Sequence, residues 1–168
     1  MRKAIAAAGS AAFFALAPGV MAGLVPWWLT GWEAQHTWPA LRVLGAALIA
    51  AGLIVLVHAF VRFVVEGVGT PAPVAPTDHL VVGGVYRYVR NPMYVAVEAT
   101  IVGQALVLGR PALLLYAAAF VAATAAFARF YEEPALRRRF GAEYEAYRRA
   151  VPGWWPRRRP WQGGERED

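Results

Sequence analysis

Long apolar runs dominate the pattern of hydrophobic and polar positions along this chain. Two of them, residues 4–29 and 41–65, exceed the roughly 20 residues that a helix needs to cross a hydrocarbon core of ~30 Å. Two shorter runs, residues 93–109 and 112–130, lie so close together that they are typical of a tight helical hairpin. The pattern predicts an all-α membrane protein with four transmembrane helices, the last two forming a C-terminal hairpin.

The second run has two halves of different character. Glycine and alanine are concentrated in its first half, between Gly45 and Gly52, and small residues at such spacing let transmembrane helices pack closely. Its second half carries His58, Arg62 and Glu66, which are spaced four residues apart and so share one face. We expect the first half to pack against another helix and the second half to approach the polar side of the membrane.

A cleavable signal peptide is the alternative interpretation of the first run. Arg2 and Lys3 precede it, and residues 20–22 could pass for a cleavage site. The apolar character continues past this point to Trp27 and Trp28, which is longer than the apolar region of a usual signal peptide. We therefore expect an uncleaved first helix that ends in two tryptophans at the membrane interface.

Two polar segments are expected to form a cap on the cytoplasmic side of the bundle. Residues 67–92 make a loop whose alternating prolines cannot continue a helix. Residues 131–151 are predicted to form an amphipathic juxtamembrane helix with a 3.6-residue period. Its apolar face consists of Leu136, Phe140, Tyr144, Tyr147 and Val151.

The chain divides into three parts on this interpretation. Residues 1–66 form an N-terminal pair of transmembrane helices, and residues 67–155 form a second half with the loop, the hairpin and the juxtamembrane helix. Residues 156–168 form a basic C-terminal tail. Arginine, proline and tryptophan are frequent from Trp154 onward, and we expect this end to be a loose segment at the membrane interface.

Composition agrees with a membrane protein and excludes some chemistry. Hydrophobic residues make up 58% of the 168 residues and charged residues only 17%, whereas about a quarter are charged in a soluble domain. The chain has no cysteine, so disulfides and thiolate metal sites are excluded. Its three histidines share no ligand-like spacing, and no metal site is expected.

The net charge of +6 is distributed unevenly. With four spans and a cytoplasmic N-terminus, only Arg42 and Arg110 fall on the far side of the membrane. The remaining basic residues fall at or near the cytoplasmic side, as the positive-inside rule requires of short loops. This asymmetry accounts for the basic charge without a nucleic-acid partner. It predicts a multi-pass protein of the cell inner membrane with both termini in the cytoplasm.

Two motifs flank the predicted hairpin. The first is Arg90-Asn91-Pro92-Met93-Tyr94, and the second is Glu132-Glu133 followed by residues 140–147 and Val151-Pro152. In these motifs the chain resembles the isoprenylcysteine carboxyl methyltransferase and phospholipid methyltransferase superfamily, over roughly its C-terminal 100 residues. The resemblance implies an integral membrane enzyme that transfers a methyl group from S-adenosylmethionine to a lipid-like or prenylated substrate. It also implies that residues 67–155 are the half that binds the cofactor and carries out catalysis, with the cofactor pocket under the cap. Asn91 stands where the eukaryotic carboxyl methyltransferases have histidine, so the resemblance gives no support to prenylcysteine in particular.

The motif residues suit the groups that S-adenosylmethionine presents. Arg90 can pair with its carboxylate, and Glu132 or Glu133 can accept hydrogen bonds from the ribose hydroxyls or the ammonium group. Tyrosine rings offer faces for the adenine and the sulfonium. Each of these residues also has a purely structural interpretation. Arg90 could anchor the chain at the membrane surface, and the two glutamates could stabilise the first turn of a helix. The predicted cofactor-binding residues are Gly84, Tyr86, Arg90, Asn91, Pro92, Tyr94, Glu132 and Glu133.

The methyl-accepting atom is left open between a carboxylate oxygen and an amine nitrogen. A carboxylate needs an orienting cation, for which Arg138 or Arg139 are the candidates. An amine must lose a proton, and Glu98 or Glu133 could accept it. Glu98 lies within the third span, where an unpaired charge is costly, so we expect it to face Arg62 or a cavity. A buried pair with Arg62 that only fixes helix packing is an equal alternative.

Two other functions remain as alternatives. Membrane reductases of the sterol reductase type have a similar C-terminal half that binds NADPH, although they are usually longer. A non-catalytic membrane module that keeps the fold is the third possibility. For the methyltransferase, the expected partners are the lipid bilayer and a lipid-like substrate that enters the site laterally from it.

Overall fold

Five helices make up the part of the chain that this computed structural model describes, residues 16–67 and 79–163, and no β-strand occurs there. Helix α1 contains a π-helical turn, Val20–Leu24, and a 3₁₀ turn, Gly84–Arg87, precedes α3. A second π-helical turn, Ala128–Glu132, joins the last two helices without a break. The helices are α1 (Leu16–Thr30), α2 (Pro39–Gly67), α3 (Pro92–Leu108), α4 (Pro111–Phe127) and α5 (Glu133–Ala150).

Proline and glycine set the bounds of the hairpin helices. Pro92 and Pro111 stand at the start of α3 and α4, where the missing N–H costs nothing and the fixed φ suits a helix. Gly109 ends α3 with a φ of 64°, a left-handed conformation that glycine adopts without strain. The two helices therefore form the tight hairpin that the sequence predicts.

Helices α2 and α3 pack with their backbones nearly in contact. A Cβ atom added at Gly45 would lie 2.5 Å from the carbonyl oxygen of Gly103, and one at Gly103 would lie 2.7 Å from that of Gly45. Gly52 makes a similar approach to Ala96, whose carbonyl oxygen would be 2.7 Å from an added Cβ. The close packing expected for the first half of α2 is thus confirmed.

The outer surface of the helices is apolar. Leu56, Ile101 and Phe120 belong to the core between α2, α3 and α4, while Leu115 and Phe130 are more than three-quarters exposed. Within residues 16–67 and 79–163, two helices could cross a membrane by length and composition, Pro39–Phe63 and the continuous helix that starts at Pro111. Leu16–Thr30 and Pro92–Leu108 are shorter apolar helices. The all-helical membrane fold is confirmed, and the number of four spans stays a prediction.

Charged side chains separate to the two ends of the bundle. At one end Arg110 pairs with Glu33 at 3.3 Å, and Arg42 donates to the carbonyl oxygen of Gln35. The other arginines among the described residues lie at the opposite end, near the C-terminus of α2, before α3, after α4, on α5 and in the segment that follows it. This is the segregation on which the predicted orientation depends.

The polar segments that follow α4 agree only in part with the sequence prediction. Helix α5 continues α4 and breaks at Gly141, whose φ is 50° and ψ is −121°. Its predicted apolar face is confirmed, because Tyr144, Tyr147 and Val151 are buried together. The expectation of a loose end is wrong for residues 154–163, since the Trp161 amide donates to the Arg87 carbonyl oxygen at 3.0 Å. Residues 1–15, 68–78 and 164–168, parts of the first predicted span, the loop and the tail, lie outside the described residues.

Candidate active site

Arg90 joins three separate segments at the basic end of the bundle. Its Nη1 atom donates to Glu133 Oε1 and to the Tyr144 hydroxyl, both at 3.0 Å, and its Nε donates to the Val151 carbonyl oxygen at 2.9 Å. The side chains of Arg90 and Glu133 are only 14% and 15% exposed, so the ion pair is shielded from water. The first motif is thereby tied to the second and to the end of α5.

The backbone of the first motif pairs with the chain that follows α5. The Arg90 amide donates to the Pro152 carbonyl oxygen at 2.9 Å, and the Asn91 amide donates to that of Gly153 at 3.2 Å. A Cβ atom at Gly153 would lie 3.2 Å from Arg90 Nη2, so this approach leaves little room for a side chain. Asn91 stands at the N-cap position of α3 without a side-chain capping bond, and Pro92 after it is buried.

Tyr94 and Glu132 form the second link between the motifs. The Tyr94 hydroxyl donates to Glu132 Oε1 at 2.7 Å, and the Tyr94 ring stacks on Trp154 with 6.1 Å between ring centroids and 19° between planes. Burial raises the pKa of Glu132, which follows the apolar part of the α4 helix. The hydrogen bond from Tyr94 opposes this increase, and the charge of Glu133 adds to it. Glu132 is thus a shielded acceptor beside two aromatic rings.

Glu133 lies between two guanidinium groups. In addition to Arg90, Arg148 Nη1 lies 3.8 Å from Glu133 Oε2. Arg148 is held in turn by Glu145, whose other oxygen pairs with Arg137 at 2.6 Å. The carboxylate of Glu133 is therefore occupied by cations that belong to the protein, which suits a structural role better than proton transfer.

Tyr86 and Tyr147 extend the cluster toward α2. The Tyr147 hydroxyl donates to the Tyr86 carbonyl oxygen at 2.6 Å. Burial raises the pKa of both tyrosines, and the negative charges of Glu132 and Glu66 raise that of Tyr86 further. Both phenols stay protonated, so they act as hydrogen-bond donors and packed rings.

The glycine turn before the first motif contacts α2. The Gly83 amide donates to Glu66 Oε2 at 2.8 Å, and Glu66 Oε1 accepts from Arg62 at 3.1 Å. Gly84 has a φ of +56°, and a Cβ atom there would lie 2.6 Å from His58 Nε2. Gly84, a predicted cofactor-binding residue, therefore brings its backbone close to side chains of α2. The predicted pairing of Arg62 with Glu98 is wrong, because the nearer partner Glu66 on the same helix takes the guanidinium.

The other predicted catalytic residues are separate from the arginine–glutamate cluster. Arg138 and Arg139 lie on the exposed side of α5, with the Arg139 guanidinium 5.7 Å from the Phe140 ring centroid. Glu98 lies one turn into α3 from Tyr94, and its Oε2 atom is buried without a hydrogen-bond partner among the described residues. The catalytic roles of these three residues stay predictions.

Three residues of the cluster were not predicted as site residues: Tyr144, Arg148 and Trp154. The sequence placed Tyr144 on an apolar face, but gave no sign that its hydroxyl would meet Arg90. Arg148 approaches Glu133 because α5 breaks at Gly141, and a glycine in a periodic run does not reveal such a break. Trp154 lies two residues beyond Val151-Pro152. This position directly after the second motif was the one feature of the sequence that indicated a possible site residue.

An apolar helical bundle with an acid–arginine–aromatic cluster at its basic end defines an integral membrane protein with a polar site at one face. A family model for phospholipid methyltransferases matches residues 40–143, more than half of the chain. The protein therefore belongs to the phospholipid methyltransferase family, as the two motifs predict. Comparison with curated proteins and with solved structures gives no match. The family match favours methyl transfer over the reductase alternative.

Proposed function

We propose that this protein transfers a methyl group from S-adenosylmethionine to a lipid-like or prenylated substrate held in the membrane. The observation that carries the proposal is the convergence of the two motifs, with Arg90 3.0 Å from Glu133 and the Tyr94 hydroxyl 2.7 Å from Glu132. Membership of a methyltransferase family supports the class of reaction.

The side chains in the cluster fit S-adenosylmethionine, which when bound supplies a methyl group on a positively charged sulfur. Glu132 uses one oxygen for Tyr94, and the other is neither buried nor bonded within the described residues, so it can accept from hydroxyl or ammonium groups. Arg90 Nη2 makes no hydrogen bond within the same residues and can donate to a carboxylate. The Tyr94 and Trp154 rings present faces that attract a cation.

The residues of the chain can prepare the site for an in-line displacement. The Arg90–Glu133 pair and the backbone bonds to residues 152 and 153 hold the first motif in place before any ligand arrives. Because the Glu132 side chain and the aromatic rings shield the site, charges there are poorly hydrated. If the substrate is a carboxylate, opposite charges cancel in the transition state, and poor hydration of the reactants favours that cancellation. An amine substrate instead requires a group that accepts its proton.

We place the site at the cytoplasmic face of the cell inner membrane. The support is the concentration of arginines at the site end, with only Arg42 and Arg110 of the described arginines at the other. The site end also borders apolar helix surface, so a lipid-like substrate can enter laterally from the bilayer.

Calorimetric titration of the detergent-purified protein with S-adenosylhomocysteine and with NADPH tests this function. We expect micromolar binding of the first ligand. Trp154→Ala should weaken it about 2- to 10-fold, because an aromatic pair contributes about 0.5–1.5 kcal/mol. Trp155→Ala is the matched control, since that ring is 80% exposed, and it should leave the affinity unchanged. Binding of NADPH alone would support a reductase, and binding of neither ligand would support a non-catalytic membrane module.

A further inference from the structure

An open cavity lies in the segment that follows α5, and the proposed function makes no use of it. Its volume is about 360 Å³, within the range of roughly 300–1,000 Å³ that small-molecule sites have. The residues that line it are Arg157, Arg159, Pro160, Trp161 and Gln162. Two guanidinium groups, an amide and an aromatic ring are thus brought to one place, and this chemistry suits an anionic ligand.

The arginines of this segment carry positive charge that no acid offsets within the described residues. The side chains of Arg157, Arg158 and Arg159 make no hydrogen bond or ion pair there. Glu133 and Glu145, two acids of α5, pair with arginines outside the segment. A guanidinium group presents its N–H donors in a planar fork that matches the oxygens of a phosphate. The cavity therefore offers two such forks to a phosphate group.

Backbone hydrogen bonds hold the two ends of the cavity in place. The Arg157 amide donates to the Tyr88 carbonyl oxygen at 3.0 Å. The Trp161 amide donates to the Arg87 carbonyl oxygen, also at 3.0 Å, and the Arg87 guanidinium donates in return to the Trp161 carbonyl oxygen. The Trp161 ring packs on Tyr147 with 5.2 Å between ring centroids. Because the backbone is already ordered, a ligand that binds here loses less affinity to ordering of the chain.

The cavity lies close to the membrane surface. Tyr88, the partner of Arg157, precedes the start of α3 at Pro92 by four residues, which span at most about 14 Å. Trp155 in the same segment is 80% exposed, and tryptophan is enriched at membrane–water interfaces. With the site end on the cytoplasmic side, as proposed, this surface faces a leaflet whose potential is negative because of anionic lipids. A phospholipid headgroup is the anion that this position favours.

We propose that Arg157 and Arg159 bind the phosphate of an anionic phospholipid headgroup, in the cavity that Trp161 and Gln162 complete. The bound lipid is an anchor and not a reactant. It ties the segment that follows α5 to the leaflet, and the backbone of this segment at residues 152 and 153 pairs with the first motif. The inference does not depend on the proposed function, because it involves neither the methyl donor nor the methyl acceptor.

Calorimetric titration of the full-length protein in micelles of an uncharged detergent tests the site. The probes are dioctanoyl-phosphatidylglycerol, dioctanoyl-phosphatidylcholine and inorganic phosphate. About 0.5 M NaCl is present throughout, because a Debye length of about 4 Å suppresses diffuse attraction and leaves direct contacts. Arg157→Gln and Arg159→Gln are compared with Arg158→Gln. This matched control removes the same charge from the same segment, but Arg158 does not line the cavity.

We expect phosphatidylglycerol to bind more tightly than phosphatidylcholine, whose headgroup has no net charge, and more tightly than inorganic phosphate. Arg157→Gln and Arg159→Gln should each weaken its binding by roughly 10-fold, the effect of losing a hydrogen bond between charged groups. Arg158→Gln should change the affinity by less than about 2-fold, because only screened attraction is lost. All three variants should unfold at the wild-type Tm, since backbone bonds hold the segment.

Equal weakening by the three substitutions would overturn the inference, because it would show diffuse attraction to the segment and no defined site. Equal affinity for phosphatidylglycerol and phosphatidylcholine would do so as well. Inorganic phosphate that binds as tightly as phosphatidylglycerol would show a site for a free anion and not for a lipid. None of these titrations contains S-adenosylhomocysteine, so failure of the lipid site is distinguishable from failure of the proposed function.

Discussion

Substitution of Gly141 tests most directly whether helix α5 is broken at this residue. Its φ of 50° and ψ of −121° lie in a region that is open to glycine and strained for every residue with a Cβ atom. A Cβ atom added at Gly141 would have no heavy atom within 4 Å. The substitution Gly141→Ala therefore introduces no clash with neighbours, and its whole cost is backbone strain, about 1–3 kcal/mol.

That strain should appear in both stability and binding. For a chain of this length each kcal/mol lowers Tm by about 2–4 °C, so Gly141→Ala should unfold roughly 2–12 °C below wild type. Tyr144 and Arg148 follow the break and reach Arg90 and Glu133 because of it. Straightening the helix would displace them, so S-adenosylhomocysteine should also bind more weakly. Thermal unfolding followed by tryptophan fluorescence in detergent, with a parallel titration, measures both effects.

Gly23→Ala is the matched control for this experiment. An added Cβ atom at Gly23 also meets nothing within 4 Å, but Gly23 lies in the helical turn Val20–Leu24 and is not among the residues with positive φ. Alanine there should be neutral or stabilise by up to about 1 kcal/mol, because it favours helix more than glycine does. If Gly141→Ala raised Tm as well, α5 would be an unbroken helix and the explanation for the Arg148–Glu133 contact would be wrong.

Two further predictions concern packing and pH. Gly103→Ala should lower the free energy of unfolding by about 1–3 kcal/mol, because the added Cβ atom would lie 2.7 Å from the Gly45 carbonyl oxygen. Thermal unfolding measures this change, and unchanged stability would refute the close backbone contact. Burial raises the pKa of Glu132 above its ordinary value of 4.5, so the folded state holds this proton more tightly than the unfolded state. The resulting stabilisation is complete below pH 4.5 and is lost as pH rises through the folded-state pKa. Glu132→Gln should therefore gain stability relative to wild type as the pH is raised above 4.5, and parallel Tm curves would contradict this assignment.

The helices of the bundle could be predicted because their limits are encoded locally. The runs 41–65, 93–109 and 112–130 correspond to Pro39–Gly67, Pro92–Leu108 and Pro111–Phe127. Proline at the start of each helix and the left-handed Gly109 act within one turn, so the sequence shows them directly. The convergence of the two motifs was likewise expected, since they flank one hairpin.

What could not be predicted depends on contacts between distant segments. The pairing of Arg62 with Glu98 failed because Glu66, four residues away on the same helix, offers the guanidinium a closer partner. The expectation of a loose end is wrong for residues 154–163 because backbone hydrogen bonds hold them, such as that from the Trp161 amide to the Arg87 carbonyl oxygen. Side-chain identity does not indicate bonds of this kind. The break at Gly141 depends on a φ value that glycine can adopt, but a glycine in the sequence does not show that this value is adopted.

Transfer of radiolabelled methyl from S-adenosylmethionine into lipid tests the central claim most directly. The protein is reconstituted into nanodiscs made from the membrane lipids of the expression host, and label is counted in the organic phase for wild type and Glu132→Gln. The account predicts label for wild type and a loss of at least about 10-fold for the variant, because Glu132 supplies the shielded acceptor beside Tyr94 and Trp154. Equal labelling by the two proteins, or no labelling by a folded wild type that binds S-adenosylhomocysteine, would contradict it.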